Sequence, residues 1–159
     1  MLVIRQHSSS QSKHGTEATL TMSFDQRRKS RQRARLDDGT EVAIMLERGA
    51  ILRGGDVLVA EDGRRVVVRA ALETVSTARA PEPVLLARAA YHLGNRHLPL
   101  QIGNGWVRYE HDHVLDHLAA GLGLTVDVEQ APFEPEAGSY AAASSRHHHH
   151  HDDEPHAHE

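Results

Sequence analysis

Residues 84–128 read VLLARAAYHLGNRHLPLQIGNGWVRYEHDHVLDHLAAGLGLTVDV, and the changes of hydrophobic period along that stretch decide the fold. Leu85, Leu86, Ala89 and Leu93 recur at helical spacing, which predicts a helix over 84–93. Pro81 and Pro83 introduce it, since proline is tolerated in a first turn whose N–H groups have no helical partner. Gly94 stands where a helix-ending cap is expected. Residues 98–102 and 106–109, split by Gly103-Asn104-Gly105, read as a hairpin. Asp112 can cap a second helix through Leu122, with Leu115, Leu118, Ala119 and Leu122 inward and Gly121 and Gly123 ending it. Residues 124–128 are a last strand, and residues 74–77 a strand upstream. The order is β-α-β-β-α-β, the ferredoxin-like arrangement.

Working outward toward the N-terminus, residues 20–24, 31–36, 41–47, 56–60 and 64–70 are short and alternate in polarity. Val42, Ile44 and Leu46 share one face of their run, the mark of a half-buried strand. Asp38-Gly39 and Asp62-Gly63 are hairpin turns between strand candidates, because both residue types accept positive φ, and Gly54-Gly55 is a further break. The expected fold is therefore α+β. A small all-β N-terminal domain, residues 1–73, is followed by a ferredoxin-like domain, residues 74–134. Residues 135–159 turn to Ala, Ser, Gly, His and acids without apolar periodicity and are expected to form a disordered His-rich tail.

Composition narrows the chemistry. The chain has 159 residues, with 39% hydrophobic but only 4% aromatic content, so small cores of this kind gain from a partner subunit. A net charge of −4 gives no general reason to expect nucleic acid or an anionic membrane. No stretch approaches the roughly 20 apolar residues of a bilayer span. Residues 1–6 are apolar but too short for a signal peptide, so a cytoplasmic location is expected. With no cysteine, disulfides and thiolate metal sites are excluded. Histidine occurs 14 times, and imidazole nitrogen completed by carboxylate or water suits nickel, copper(II), zinc and cobalt.

Three histidine groups stand out. The tail carries His147, His148, His149, His150 and His151 in succession, then His156 and His158, interleaved with Asp152, Asp153 and Glu154. Such a tract can wrap a metal ion in many geometries with weak discrimination. A purification tag and a purely solubilising tail are the plain alternatives. Five histidines, an internal position and an acidic continuation argue against the tag. The second group is Tyr109-Glu110-His111-Asp112-His113, where His111 and His113 are separated by one residue, and His113 and His117 share a helix face. Exposed pairs of this kind also arise by accident. The third is Tyr91-His92-Leu93-Gly94-Asn95-Arg96-His97, where spacing alone makes His97 an ordinary solvated loop histidine and His92 a packed or exposed helical residue.

Arg27, Arg28, Lys29, Arg31, Arg33 and Arg35 form a basic run, but 31, 33 and 35 alternate as the wet face of one strand, and no aromatic platform interleaves them. No zinc-protease helix, phosphate-cradling glycine loop or cysteine nucleophile is present, so no enzymatic activity is expected.

The runs Ala90-Tyr91-His92-Leu93-Gly94-Asn95-Arg96-His97, Leu100-Gln101-Ile102, Asp112-His113-Val114-Leu115 and Ala131-Pro132-Phe133-Glu134-Pro135-Glu136-Ala137-Gly138-Ser139-Tyr140 resemble the UreE family of urease accessory proteins. So do Leu36-Asp37-Asp38-Gly39-Thr40 and Leu52-Arg53-Gly54-Gly55-Asp56, and the resemblance covers the chain from about Leu20 onward. It implies a homodimeric nickel metallochaperone, with an N-terminal β domain for protein partners and a ferredoxin-like metal domain. His97 becomes the principal ligand, one from each subunit at the dimer interface. His111 and His113 match peripheral sites, and the tail matches a variable region of extra ligands or storage. The implied partners are the urease accessory GTPase UreG and the apo-urease maturation complex, with no nucleic acid and no membrane. Zinc and copper are further ions that these donors suit, and a general nickel or zinc buffer using the tail is the alternative function.

Overall fold

The computed structural model describes residues 1–8 and 18–138. Its first half is one mixed sheet of β1 (Leu2–Ser8), β2 (Ala18–Met22), β3 (Arg31–Arg35), β4 (Glu41–Met45), β5 (Val57–Ala60) and β6 (Arg65–Ala70), in the order β2-β6-β5-β1-β4-β3. β1 runs inside this sheet, parallel to β4 and antiparallel to β5, with Leu2 and Ile4 buried. The alternation of its apolar start, with Leu2 and Ile4 turned inward, is that of a strand. Leu20, Met22, Val42, Ile44, Leu52, Leu58, Val66 and Val68 close the core of this half. The expected turns form at Gly39 and Gly63, with φ of +91° and +86°.

The strand expected over 20–24 stops at Met22. Ser23 instead caps a one-turn helix, α1 (Phe24–Arg27): its hydroxyl accepts from Gln26 N–H, and the Gln26 side chain accepts from Ser23 N–H. This reciprocal cap explains the break, because Ser-x-x-Gln satisfies helix-start donors that a strand would leave to its neighbours.

The second half follows the expected element order as β7 (Leu72–Arg79), α2 (Pro83–Gly94), β8 (Gln101–Gly103), β9 (Trp106–Glu110), α3 (His113–Gly121) and β10 (Thr125–Pro132). Its strands lie antiparallel in the order β10-β7-β9-β8. Ala78, Val107 and Tyr109 from the sheet meet Ala89 and Leu93 of α2 and Ala119 of α3, and Leu85, Leu86, Leu115, Leu118 and Leu122 pack around them half-buried. Pro83 takes the first helical position, and the Asp112 carboxylate accepts from the N–H groups of Val114 and Leu115.

Gly94 does not cap α2. It remains helical, Asn95 follows in right-handed conformation, and the turn tightens through Arg96 N–H to Leu93 O and His97 N–H to Gly94 O. The left-handed residue is His97, at φ +57°.

A seam joins the two sheets. Phe24, Val75, Ala131 and Phe133 cluster there, with the Phe24 and Phe133 rings edge to face at 5.6 Å. Arg27, wholly buried, donates to the carbonyls of Met22, Leu52 and Phe133 and to the Glu134 carboxylate. Arg27 therefore stands apart from the exposed Arg31, Arg33 and Arg35, which line the edge strand β3. Beyond β10 the chain stays against the sheet: Pro135 is buried and Glu136 N–H donates to Leu100 O at 2.8 Å.

Candidate metal-binding site

Two segments carry the internal histidines. The first is the turn after α2. Leu93 and Leu100 sink into the core on either side of it, and Glu136 holds Leu100 from outside. His97 stands between these anchors with its side chain exposed. It is the one non-glycine residue with positive φ among the described residues. That conformation crowds Cβ against backbone, and histidine is among the few side chains that tolerate it. Such residues concentrate at sites where position matters.

The second segment joins β9 to α3. Tyr109 is wholly buried and ends the core contribution of β9. Two residues later, His111 N–H extends the pairing with β7 by donating to Thr74 O at 3.2 Å. The ring of His111 turns toward the sheet, with Nδ1 3.0 Å from Ser76 Oγ and 3.2 Å from Asp116 Oδ2. The other Asp116 oxygen accepts from the Tyr109 hydroxyl at 3.0 Å. Burial, then the hydrogen bond and charge of Asp116, push the Tyr109 phenol well above its ordinary value, so it stays a donor. Asp112 is held below the usual carboxylate range by the N–H groups of Leu115 and Val114, aided by nearby His113 and His111. His113 opens α3 and His117 follows one turn later, both exposed.

The two segments meet. Leu98 and Pro99, which directly follow His97, line one depression with Tyr109, His111, Asp112 and Leu115. Among the described residues no three histidine or acidic side chains come close enough to hold a metal ion by themselves. His97, His111 and His113 are thus presented separately rather than gathered into one ligand set within this chain. His92 lies exposed on α2 against Tyr91, and His7 pairs with Asp56 at 2.7 Å in the first sheet. His147, His148, His149, His150, His151, His156 and His158 lie outside the described residues.

Sequence reading missed Ser76, Tyr109 and Asp116 as neighbours of a candidate ligand. Asp116 carries a faint signal, seven residues from Tyr109 and one helical turn from Asp112. Ser76 lies 35 residues from His111 and only strand pairing brings them together.

This is a two-sheet α+β protein that offers exposed imidazoles around the depression on its second sheet. Residues 3–71 match the family model of the UreE urease accessory protein N-terminal domain, and residues 73–159 that of its C-terminal domain. The urease accessory protein UreE of Pseudomonas putida strain GB-1 is 56% identical over 141 residues, covering 88% of this chain and 86% of the relative. That of Alkalilimnicola ehrlichii is 63% identical over 124 residues, covering 78% and 76%, and that of Proteus mirabilis is 53% identical over 122 residues, covering 77% and 76%. The chain belongs to the UreE family of urease accessory proteins.

Proposed function

We propose that this chain is a homodimeric nickel metallochaperone that delivers nickel to apo-urease through the accessory GTPase UreG. Family membership supports the urease side of the reading. The observation that carries the metal side is His97, an exposed imidazole held in a left-handed turn between buried anchors. One His97 is a single donor. Two, from symmetry-related copies, make part of a shell and leave positions for water, a tail histidine or an acceptor. A shell of that kind binds and still releases, whereas a closed four-ligand site holds its ion structurally.

In this reading residues 1–73 form a partner-binding β domain and residues 74–134 the ferredoxin-like metal and dimer domain. Val84 and Tyr91, seven residues apart on one face of α2 and both exposed, offer apolar surface that a second copy can cover. His111 and His113 are peripheral donors. The tail from residue 135, with its histidines from His147 to His158, is a reservoir. Nickel is the cargo; zinc and copper compete, because imidazole donors discriminate weakly between them. The protein works in the cytoplasm as a carrier, not a catalyst, and uses neither nucleic acid nor membrane.

The test is a nickel titration with oligomeric mass measured in parallel, on the parent and on His97→Ala. The expected result is a dimer whose tightest site weakens in the variant while most tail capacity survives. An unchanged tightest affinity refutes the assignment. The density of histidine at the end of the chain favours a second reading, a general nickel or zinc buffer. A chain ending at Ser145 that loses all tight nickel binding supports the buffer instead.

A further inference from the structure

We propose that Asp116 is the positioning residue of His111, fixing its ring as the Nδ1–H tautomer so that Nε2 is the nitrogen offered to nickel. This rests on the reading of His111 as a peripheral nickel ligand. Asp116 Oδ2 lies 3.2 Å from Nδ1 as an ion-pair contact, and an ionised carboxylate facing that nitrogen repels a lone pair there and favours the proton on it. Ser76 Oγ lies 3.0 Å from the same nitrogen and in this tautomer accepts from it, whereas in the other it would donate. The carboxylate is itself fixed, because its other oxygen is held by the hydroxyl of the wholly buried Tyr109. The Asp116 side chain is only 20% exposed, so water competes poorly for it. A neutral imidazole protonated at Nδ1 has its lone pair on Nε2, and His111 Nε2 makes no hydrogen bond among the described residues. A carboxylate behind a ligating histidine fixes tautomer and ring orientation and raises the basicity of the metal-binding nitrogen.

The arrangement separates His111 from its neighbours in sequence. His113 and His117 lie exposed on α3 with no side-chain hydrogen bond among the described residues. Ser76 and Asp116 flank one ring, and the other two have no such neighbours among the described side-chain bonds. His111 also shares its depression with Leu98 and Pro99, so the nitrogen that Asp116 frees lies in the same region as the turn bearing His97.

The experiment uses the full chain with 15N-labelled histidine, the His111 signals being assigned with His111→Gln. Without metal at pH 8, His111 is expected as the Nδ1–H tautomer, and nickel(II) is expected to broaden its signals. Asp116→Asn puts an amide donor where one of the two accepting oxygens was. It should shift the tautomer toward Nε2–H and raise the nickel needed for half-broadening about tenfold. Tyr109→Phe, which releases Asp116 while keeping the ring in the core, should shift both readouts the same way but less, and it serves if Asp116→Asn does not fold. An Nε2–H tautomer in the parent overturns the proposal, as does an Asp116→Asn protein unchanged in both readouts, or a parent whose His111 signals nickel leaves sharp. The carrier reading fails at a different residue. If nickel leaves the His97 signals untouched, that reading falls whatever His111 does.

Discussion

Arg27 and Glu134, 107 residues apart, are joined by a hydrogen-bonded ion pair that ties the first sheet to the segment leaving the last strand. The guanidinium is wholly buried and the carboxylate 29% exposed. Burial draws the Arg27 guanidinium below its ordinary value, and Glu134 opposes the shift by favouring the charge. Arg27 also serves three carbonyls, so its removal strands several acceptors at once. Arg27→Ala is expected to cost roughly 3–5 kcal/mol, the range for breaking a buried pair from one side. Glu134→Gln, which keeps an acceptor for Arg27, should cost less. Urea unfolding of both variants measures the order, and a milder Arg27→Ala contradicts the clamp.

Gly103 faces Trp106 across the β8–β9 register, and a Cβ placed there would come within 2.1 Å of the indole ring. The ring cannot give way freely, because Arg108 stacks on it at 4.7 Å. Arg108 is held in turn by Thr77 and Glu129. Gly103→Ala should therefore destabilise by about 1–3 kcal/mol, the usual cost of overpacking. Trp106 fluorescence followed through denaturant unfolding reports both the shift in midpoint and the displaced ring.

This glycine shows where sequence reading stopped. Glycine content places Gly103 in the turn, yet the strand includes it and the tip is Asn104-Gly105, with Gly105 at φ +78°. Periodicity gave the order of the second half and the inward faces of both helices, because those signals repeat within one element. It could not give the reason for Gly103, which is a ring on the neighbouring strand. Arg27 was hidden for the same cause. It sits in a basic run, and nothing local says that one member is buried against residues 133 and 134. At the candidate site the contrast is sharper. Spacing left His97 a plain loop residue, and the resemblance singled it out. Its left-handed backbone depends on a turn that runs three residues past the glycine expected to end the helix.

Asp112 gives the fold a pH-dependent element. Its folded carboxyl lies below the ordinary value because it accepts two N–H groups at the start of α3. A depressed carboxyl adds stability that is complete above its unfolded pKa, about 3.9, and is lost as pH falls through the lower folded value. Metal-free parent and Asp112→Ala should thus differ most in urea midpoint near neutral pH and converge as pH falls below the lowered folded value. A difference that stays constant from pH 7 to pH 2 rules out this source.

His97 combines two properties that substitutions can separate. Its left-handed backbone, φ +57°, costs ordinary side chains about 1–2 kcal/mol, whereas asparagine and glycine adopt it readily. Its ring is exposed, so packing of the side chain adds little to the fold. His97→Asn should therefore keep the stability of the parent, and His97→Ala should fall about 1 kcal/mol below His97→Asn. If the ring is the principal nickel donor, both lose the tightest site equally, because neither retains imidazole. Thermal unfolding without metal and nickel titration of the same samples give the two readouts. An alanine variant as stable as the asparagine variant argues against a constrained turn, and nickel affinities that track stability argue that His97 acts through the fold rather than as a ligand.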